Sequence, residues 1–145
     1  MNAATTTANN MWDFRGDVQN WFAEVAFATG LTLEEIVEDP ATGEVGDIRV
    51  AFSDDVDVDG AGAFAFYPSP LNLGGDIWFN DDDPDNFDLS LGTKGAQRGI
   101  HELGHALGLS HPHDEGSFND TNLGELGFGE RDNYRYTVMT YNQGG

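Results

Sequence analysis

The amino-acid sequence predicts an α+β fold. Apolar residues near the N-terminus recur at helical spacing, three short runs further along alternate as strands do, and a second helical pattern follows them. This order of helix, strands and helix, with a loop-rich stretch after it, favours an α+β domain. A chain of 145 residues with ten Phe, three Trp and four Tyr is large enough for one domain with a hydrophobic core.

The first part of the chain predicts a flexible segment and then a helix. Residues 1–11 are small and polar, so we expect a flexible N-terminal segment there and one domain over residues 12–145. Gly30 stands where the C-cap of a helix over residues 14–28 is expected. The apolar residues of this helix recur at steps of three and four: Phe14, Val18, Trp21, Phe22 and Val25.

Short strands and a second helix follow. Residues 32–38 are ambiguous, because the run resembles a strand while Thr32 and Glu35 also form a capping-box pattern. The second helix is expected to begin near Ser90 or Thr93 and to run to about Leu109, with loops over residues 110–136. Alternation predicts strands over residues 47–52, 62–68 and 76–80.

The composition excludes several classes of partner. Twenty-six Asp and Glu against six Lys and Arg give a formal charge of −20, which argues against binding to nucleic acid or to anionic membranes. No apolar run is long enough to cross a bilayer, and the first ten residues do not resemble a signal peptide. Without cysteine, the chain has neither disulfides nor thiolate metal ligands.

All four histidines lie within "HELGHALGLSHPH", residues 101–113. His101 and His105 are four residues apart on the predicted helix, so both imidazoles can reach one ion. Glu102 lies beside them, where it can reach a metal-bound water. Gly108 allows the chain to turn and bring back His111 as a third ligand. This HExxHxxGxxH spacing indicates a catalytic zinc site, because three protein ligands leave one coordination position for water.

Other interpretations of this cluster are a histidine-rich turn that binds metal incidentally, a downstream glutamate as third ligand, and copper or nickel in place of zinc.

His113 is the spare histidine. It follows Pro112, whose rigid ring makes simultaneous ligation of one ion by His111 and His113 unfavourable. We expect His113 to be an exposed loop residue or, alternatively, a residue at the rim of the site that faces the substrate.

The long histidine motif and "TVMTY" (137–141) together resemble the metzincin metalloproteases, most closely the serralysins and secondarily the matrixins. "GGDIWFNDDD" (74–83) and "GAFAFYP" (62–68) are similar to the stretches that precede the active-site helix in these families. The resemblance implies a small mixed, twisted sheet with an N-terminal helix, an active-site helix and a Met-turn near the C-terminus.

The resemblance also implies an activity, which is zinc-dependent hydrolysis of peptide bonds. His101, His105 and His111 match the zinc ligands, and Glu102 matches the general base that takes a proton from the attacking water. Tyr141 matches a tyrosine that ligates zinc or stabilises the tetrahedral intermediate. The alternative interpretation of Tyr141 is an aromatic side chain that only packs. Met139 matches the Met-turn methionine beneath the histidines. An edge strand would bind extended peptide through Ala63, Phe64, Ala65 and Phe66.

The chain also departs from these families. Trp78 stands where matrixins have a histidine for a second, structural zinc. Residues 1–12 do not suggest the strand that precedes the first helix, and neither the last helix nor the glycine-rich calcium repeats of serralysins are found. These departures favour a minimal catalytic core. They also keep an alternative open, a weak or inactive metal-binding or recognition domain of a larger secreted protein.

Two acidic clusters are candidates for structural calcium, with solvated acidic loops as the alternative for each. They contain Asp55, Asp57 and Asp59, and Asp81, Asp82 and Asp83. For the whole chain we expect a secreted monomer that acts on peptides or proteins, with secretion implied by the resemblance alone.

Overall fold

A computed structural model describes residues 3–6, 14–39, 41–54, 60–114 and 122–144. The chain divides into two compact units, residues 1–107 and residues 108–145. The first unit holds the helices and strands of the α+β fold. These elements are β1 (Ala3–Thr6), α1 (Arg15–Thr29), β2 (Ile48–Ser53), β3 (Ala63–Ala65), β4 (Ile77–Asn80), a 3₁₀ turn (Pro84–Phe87) and α2 (Lys94–Ala106).

Helix α1 confirms the predicted N-terminal helix within one residue at each end. It ends at Gly30, which has φ of 75° and donates its backbone N–H to the Ala26 carbonyl at 2.8 Å. Glycine adopts this left-handed conformation without the steric cost that a Cβ brings. Val18, Trp21 and Phe22 form the buried face of the helix, as their spacing predicted.

The strands form one mixed sheet with the order β1-β2-β4-β3. β1 and β4 both run parallel to β2, whereas β3 runs antiparallel to β4 and lies at the sheet edge. Burial alternates along β2 and β4, with Ile48, Val50, Ile77 and Phe79 facing the core. The alternation that predicted these strands therefore corresponds to alternating buried and partly exposed side chains.

β1 corrects the expectation for the N-terminus. We predicted a flexible segment over residues 1–11 and no strand before the first helix, but Ala3–Thr6 pairs with β2 from Ala3 opposite Ile48 to Thr6 opposite Ala51. The prediction was wrong because it relied on side chains. A run of small residues has no hydrophobic alternation, yet its backbone can still hydrogen-bond to an open strand edge.

Residues 32–38 form neither the strand nor the helix that their sequence allowed. The predicted capping box is not formed, because Glu35 instead accepts hydrogen bonds from α1. Its carboxylate lies 2.8 Å from the Arg15 guanidinium and 2.7 Å from the Gln19 amide nitrogen.

Helix α2 begins at the Thr93 cap, whose side-chain oxygen accepts the Ala96 N–H at 3.2 Å. It ends at Ala106, about three residues earlier than predicted, because Gly108 adopts φ of 98° and the helix cannot continue through it. Residues 101–106 are all buried. Leu103 and Ala96 join the core formed by α1 and the sheet.

The second unit consists mainly of turns in its described residues, as predicted for residues 110–136, with one 3₁₀ turn at Gly129–Arg131. Its backbone is held by bonds such as Tyr134 N–H to the Asn142 carbonyl at 3.0 Å. No helix in the described part of the chain has the length and hydrophobicity needed to span a bilayer.

Candidate metal centre and active site

Helix α2 brings two of the predicted zinc ligands together. His101 and His105 lie one helical turn apart, their Nε2 atoms are 3.1 Å apart, and each residue is only 6% exposed. The rings meet edge to face at 84°, and the Tyr67 ring packs against His105 with centroids 5.4 Å apart. Two buried imidazole nitrogens thus converge on one point.

This pair fits a zinc ion. With Zn–N bonds of about 2.0–2.1 Å and tetrahedral angles, two ligand nitrogens lie about 3.3 Å apart. The observed 3.1 Å is close to that separation. Neutral imidazoles are also the nitrogen donors that zinc prefers in catalytic sites.

Glu102 lies between the two histidines in sequence and is 6% exposed. Its burial raises the pKa of the carboxyl to about 7, although the positive charge of Arg98 and a hydrogen bond from the Ala65 backbone N–H act in the opposite direction. A carboxyl with a pKa near neutrality can both accept and return a proton at physiological pH. This property suits a general base.

Arg98 fixes the surroundings of Glu102 from one helical turn away. Its guanidinium lies 3.1 Å from Asp83 and hydrogen-bonds to Asn86. The fully buried Asn86 amide in turn donates to the carbonyls of Gly62 at 2.7 Å and Asn80 at 2.6 Å. These bonds connect α2 to the start of β3 and the end of β4.

The calcium candidates remain predictions. Asp55, Asp57 and Asp59 lie outside the described residues. Asp83 pairs with Arg98 and caps the Pro84–Phe87 turn by accepting the Asp85 N–H at 2.9 Å. Asp81 and Asp82 follow β4, and burial together with the charges of Asp54 and Asp82 raises the pKa of Asp81.

His111, the third predicted ligand, lies in the second unit. Its Nδ1 atom is 2.9 Å from a carboxylate oxygen of Asp114. The His111 ring packs against Tyr141, with centroids 4.7 Å apart, and stacks on His113 at 5.3 Å. The predicted oxyanion-binding tyrosine and the third histidine are therefore neighbours within this unit.

His113 is 41% exposed at its side chain, so the expected loop exposure is confirmed, but it has a partner. Its Nδ1 atom lies 3.3 Å from Asp132. Asp132 also accepts hydrogen bonds from the Thr140 hydroxyl and from the Asn142 amide, the latter at 2.8 Å. The acidic side chain thus links the loop after His111 to the residues that flank Tyr141.

Met139 lies in a turn at residues 138–139 and is 5% exposed. The Thr137 hydroxyl accepts its N–H at 3.1 Å, and the fully buried Thr140 follows it. Tyr141 is 61% exposed, which leaves its ring accessible from solvent. The chain therefore places a buried methionine two residues before an accessible tyrosine, and the Met-turn stays a prediction.

The predicted substrate strand is shorter than expected. β3 covers Ala63–Ala65, and Phe66 lies just beyond it. Phe66 still bonds to the β4 side. Its carbonyl accepts the Gly75 N–H at 3.1 Å, and its own N–H donates to the Asp76 carbonyl at 2.9 Å. Since backbone groups alternate along a strand, those of Ala63 and Ala65 face the other edge, where no strand pairs within the described residues.

Sequence comparison establishes the relationship of the chain to known proteins. A family model described as matrixin, of the M10 peptidases, matches residues 2–125. The chain belongs to the matrixin family. The resemblance inferred from the motifs is therefore confirmed, and the two helices and small mixed sheet of this matrixin are consistent with the α+β metzincin-like fold.

Individual relatives of this matrixin include both types of protease that the motifs resembled. It is 41% identical over 88 residues to matrix metalloproteinase-2 of Drosophila melanogaster, 34% over 88 residues to serralysin C of Dickeya chrysanthemi, and 35% over 92 residues to a serralysin of Photorhabdus laumondii. These matches cover 56%, 57% and 60% of the chain. They cover 12%, 17% and 19% of the relatives, so the chain spans less than a fifth of each.

Sequence reasoning missed the residues that surround the predicted site. Asp114 could have been proposed from its position three residues after His111, where a turn returns a side chain to the first residue. Arg98 could have been proposed because it lies one helical turn before Glu102. Asp132 carries no local signal, since its partners lie 8 to 19 residues away.

Proposed function

We propose that this matrixin is a zinc-dependent endopeptidase that uses a metal-activated water and a glutamate base. The observation that carries the proposal is the buried His101–His105 pair with Glu102 beside it on α2. Membership of the matrixin family implies zinc, and the separation of the two nitrogens suits that ion.

His111 is proposed as the third ligand. The spacing supports this assignment, because His111 follows His105 by six residues and Gly108 has the positive φ that ends the helix between them. Three neutral histidines leave a coordination position for water. When bound, zinc supplies Lewis acidity that activates the water and polarises the peptide carbonyl.

Glu102 moves the proton in the proposed reaction. Its carboxylate takes a proton from the attacking water and then passes it to the nitrogen of the leaving amine. The raised pKa supports both steps, because the carboxyl exchanges protons near neutral pH. The hydrogen bond from the Ala65 N–H holds the carboxylate while it does so.

Tyr141 and Met139 complete the proposed site. The exposed Tyr141 phenol would donate a hydrogen bond to the oxygen that becomes negative during attack, and its packing against the ring of His111 supports that position. Met139, as the methionine of a Met-turn, would pack beneath the zinc-binding histidines, and its burial supports this packing role.

The substrate is proposed to be a peptide or protein bound along β3. An extended chain could pair with the outward backbone groups of Ala63 and with the Ala65 carbonyl by strand addition. Because the Ala65 N–H bonds to Glu102, the same strand that holds the substrate also positions the base. We further propose a secreted monomer that binds neither nucleic acid nor membranes, with calcium as a structural ion.

A peptide-library cleavage assay read by mass spectrometry tests this function. The zinc-loaded chain should cleave peptides, and a chelator should abolish the cleavage. Glu102→Gln should reduce kcat/KM by about 10²–10⁴-fold while it retains zinc, because only the base is lost. Glu24→Gln removes an equivalent charge from an exposed position of α1 and should cleave like the parent.

The same assay separates the proposal from a non-catalytic metal-binding module. Intact, zinc-loaded protein that cleaves no peptide contradicts the endopeptidase function and favours the module. Cleavage by Glu102→Gln at the parental rate rejects the assignment of the base even if the activity is real.

A further inference from the structure

Residues 111–114 form a tight turn whose last side chain folds back onto its first residue. The Asp114 backbone N–H donates to the His111 carbonyl at 3.1 Å, and Pro112 occupies the second position, where its fixed φ favours such a turn. The Pro112 carbonyl accepts the Leu123 N–H at 2.9 Å, which ties the turn to the following segment. The turn is therefore closed by one backbone hydrogen bond and tied to Leu123 by another.

One carboxylate oxygen of Asp114 contacts His111 twice. It accepts the His111 backbone N–H at 3.1 Å, and it lies 2.9 Å from Nδ1 of the ring. An ionised carboxylate only accepts hydrogen bonds, so the Nδ1 atom carries the proton and the lone pair belongs to Nε2. The backbone contact places the carboxylate and the ring contact fixes both ring orientation and tautomer.

We propose that Asp114 is a positioning residue that holds the His111 ring and its Nδ1–H tautomer so that Nε2 can ligate the zinc. This inference rests on the proposed function. Metal-binding histidines usually donate their second ring N–H to such a partner, and loss of the partner typically weakens metal binding by about 10–100-fold. The Asp114 side chain is 30% exposed, so it acts on His111 without belonging to the hydrophobic core.

A different use of the same side chains is a separate metal site. Ligand atoms of His111, His113 and Asp114 all lie within 4.8 Å of one another. The contacts favour two His–Asp pairs instead, because His113 faces Asp132, which two further donors hold in place. One zinc ion per chain is expected, and a second zinc ion that depends on Asp114 would overturn the inference.

Zinc affinity of the full chain, measured by competition with a chromophoric chelator, tests the proposal. Asp114→Ala should weaken zinc binding about 10–100-fold. Asp114→Asn should retain more affinity than Asp114→Ala, because its amide oxygen still accepts the ring N–H. Glu125→Ala, which removes one charge from an exposed turn of the same unit, should bind zinc like the parent.

Nitrogen chemical shifts of the His111 ring give a second reading in zinc-free protein. The parent should show the Nδ1–H tautomer, and Asp114→Ala should show a mixture with the Nε2–H form. If Asp114→Ala does not fold, the Asn variant must still bind zinc less tightly than the parent or the proposal fails. Parental zinc affinity and tautomer in Asp114→Ala overturn this inference alone, whereas a parent chain that binds no zinc overturns the proposed function and this inference with it.

Discussion

At the scale of single residues, buried carboxylates of this matrixin are stabilised by specific partners. Asp76 is 2% exposed and precedes β4, and the Arg49 guanidinium on β2 donates to both of its oxygens, with Nε at 2.8 Å. Arg49 also donates to the Asn72 carbonyl. Because a buried charge without a partner is costly, removing Arg49 should destabilise the fold even if the pair itself adds little net stability.

Arg49→Ala is therefore expected to lower the free energy of unfolding by about 3–5 kcal/mol, measured by urea denaturation. Arg15→Ala is the matched control, because it breaks an ion pair with Glu35 in which the arginine side chain is 57% exposed. The control should lower the free energy of unfolding by no more than about 1 kcal/mol. Equal losses in the two variants would contradict the role of burial.

The raised pKa of Glu102 predicts that the stability of the zinc-free chain depends on pH. Its pKa is about 7 in the folded state and near 4.5 when unfolded, so the folded state holds the extra proton between these values. The stabilisation by that proton is complete below pH 4.5 and is lost as the pH rises through 7. At pH 8 the ionised, buried carboxylate should lower the free energy of unfolding by about 3 kcal/mol relative to the protonated form.

Glu102→Gln should remove that cost. In zinc-free protein the variant is expected to be more stable than the parent at pH 8, and the difference should shrink towards pH 5, as read from urea denaturation. Glu24→Gln is the exposed control for the change of charge. A difference that stays constant across this range rules out a buried, titrating Glu102.

At the scale of elements, the packing of α1 against α2 depends on one glycine. Gly99 of α2 faces the ring of Trp21, which is fully buried on α1 and donates its indole N–H to the Leu89 carbonyl at 2.9 Å. A Cβ at Gly99 would overlap the indole ring. The helices can therefore approach this closely only because residue 99 has no side chain.

Gly99→Ala should lower the free energy of unfolding by about 1–3 kcal/mol through overpacking, even though alanine favours helix. Gly16→Ala in the first turn of α1 is the matched control. An added Cβ there meets nothing within 4 Å, so that variant should be as stable as the parent or more so. Chemical denaturation of both variants checks the prediction, and a neutral or stabilising Gly99→Ala would show that Trp21 can move.

The elements also show where sequence patterns lose their predictive value. α1, α2, β2 and β4 were predicted because each buries one face and its apolar residues repeat with the period of its structure. β1 was missed because its small residues carry no such repeat and its existence depends on the edge of β2. β3 was predicted too long, because residues past Ala65 continue to bond to the β4 side without being part of the strand.

At the scale of the whole molecule, charge repulsion should oppose folding. Twenty-six acidic residues and six basic ones leave most carboxylates without a cationic partner, and the formal charge is −20. Compaction brings these charges closer together, and salt screens their repulsion.

Raising NaCl from about 0.05 M to about 0.5 M should therefore raise the melting temperature at pH 7. Repeating the measurement near pH 4.1, the isoelectric point of the sequence, provides the control. There the net charge is small and the effect of salt should be much weaker. A melting temperature that falls with salt at pH 7 would show that attractive ion pairs outweigh the net repulsion.

The sequence by itself determined which candidate site residues lie together on one element. The positions of His101, Glu102 and His105 on one helix follow from helical periodicity. Thr93 was one of the two predicted starts of that helix, because caps act within a few residues, whereas its end was predicted about three residues too late. Only the tertiary structure decided which groups meet across the chain. The place of β1 in the sheet, the partners of Asp76 and the burial that raises the pKa of Glu102 depend on residues far apart in sequence, and no local pattern encodes those contacts.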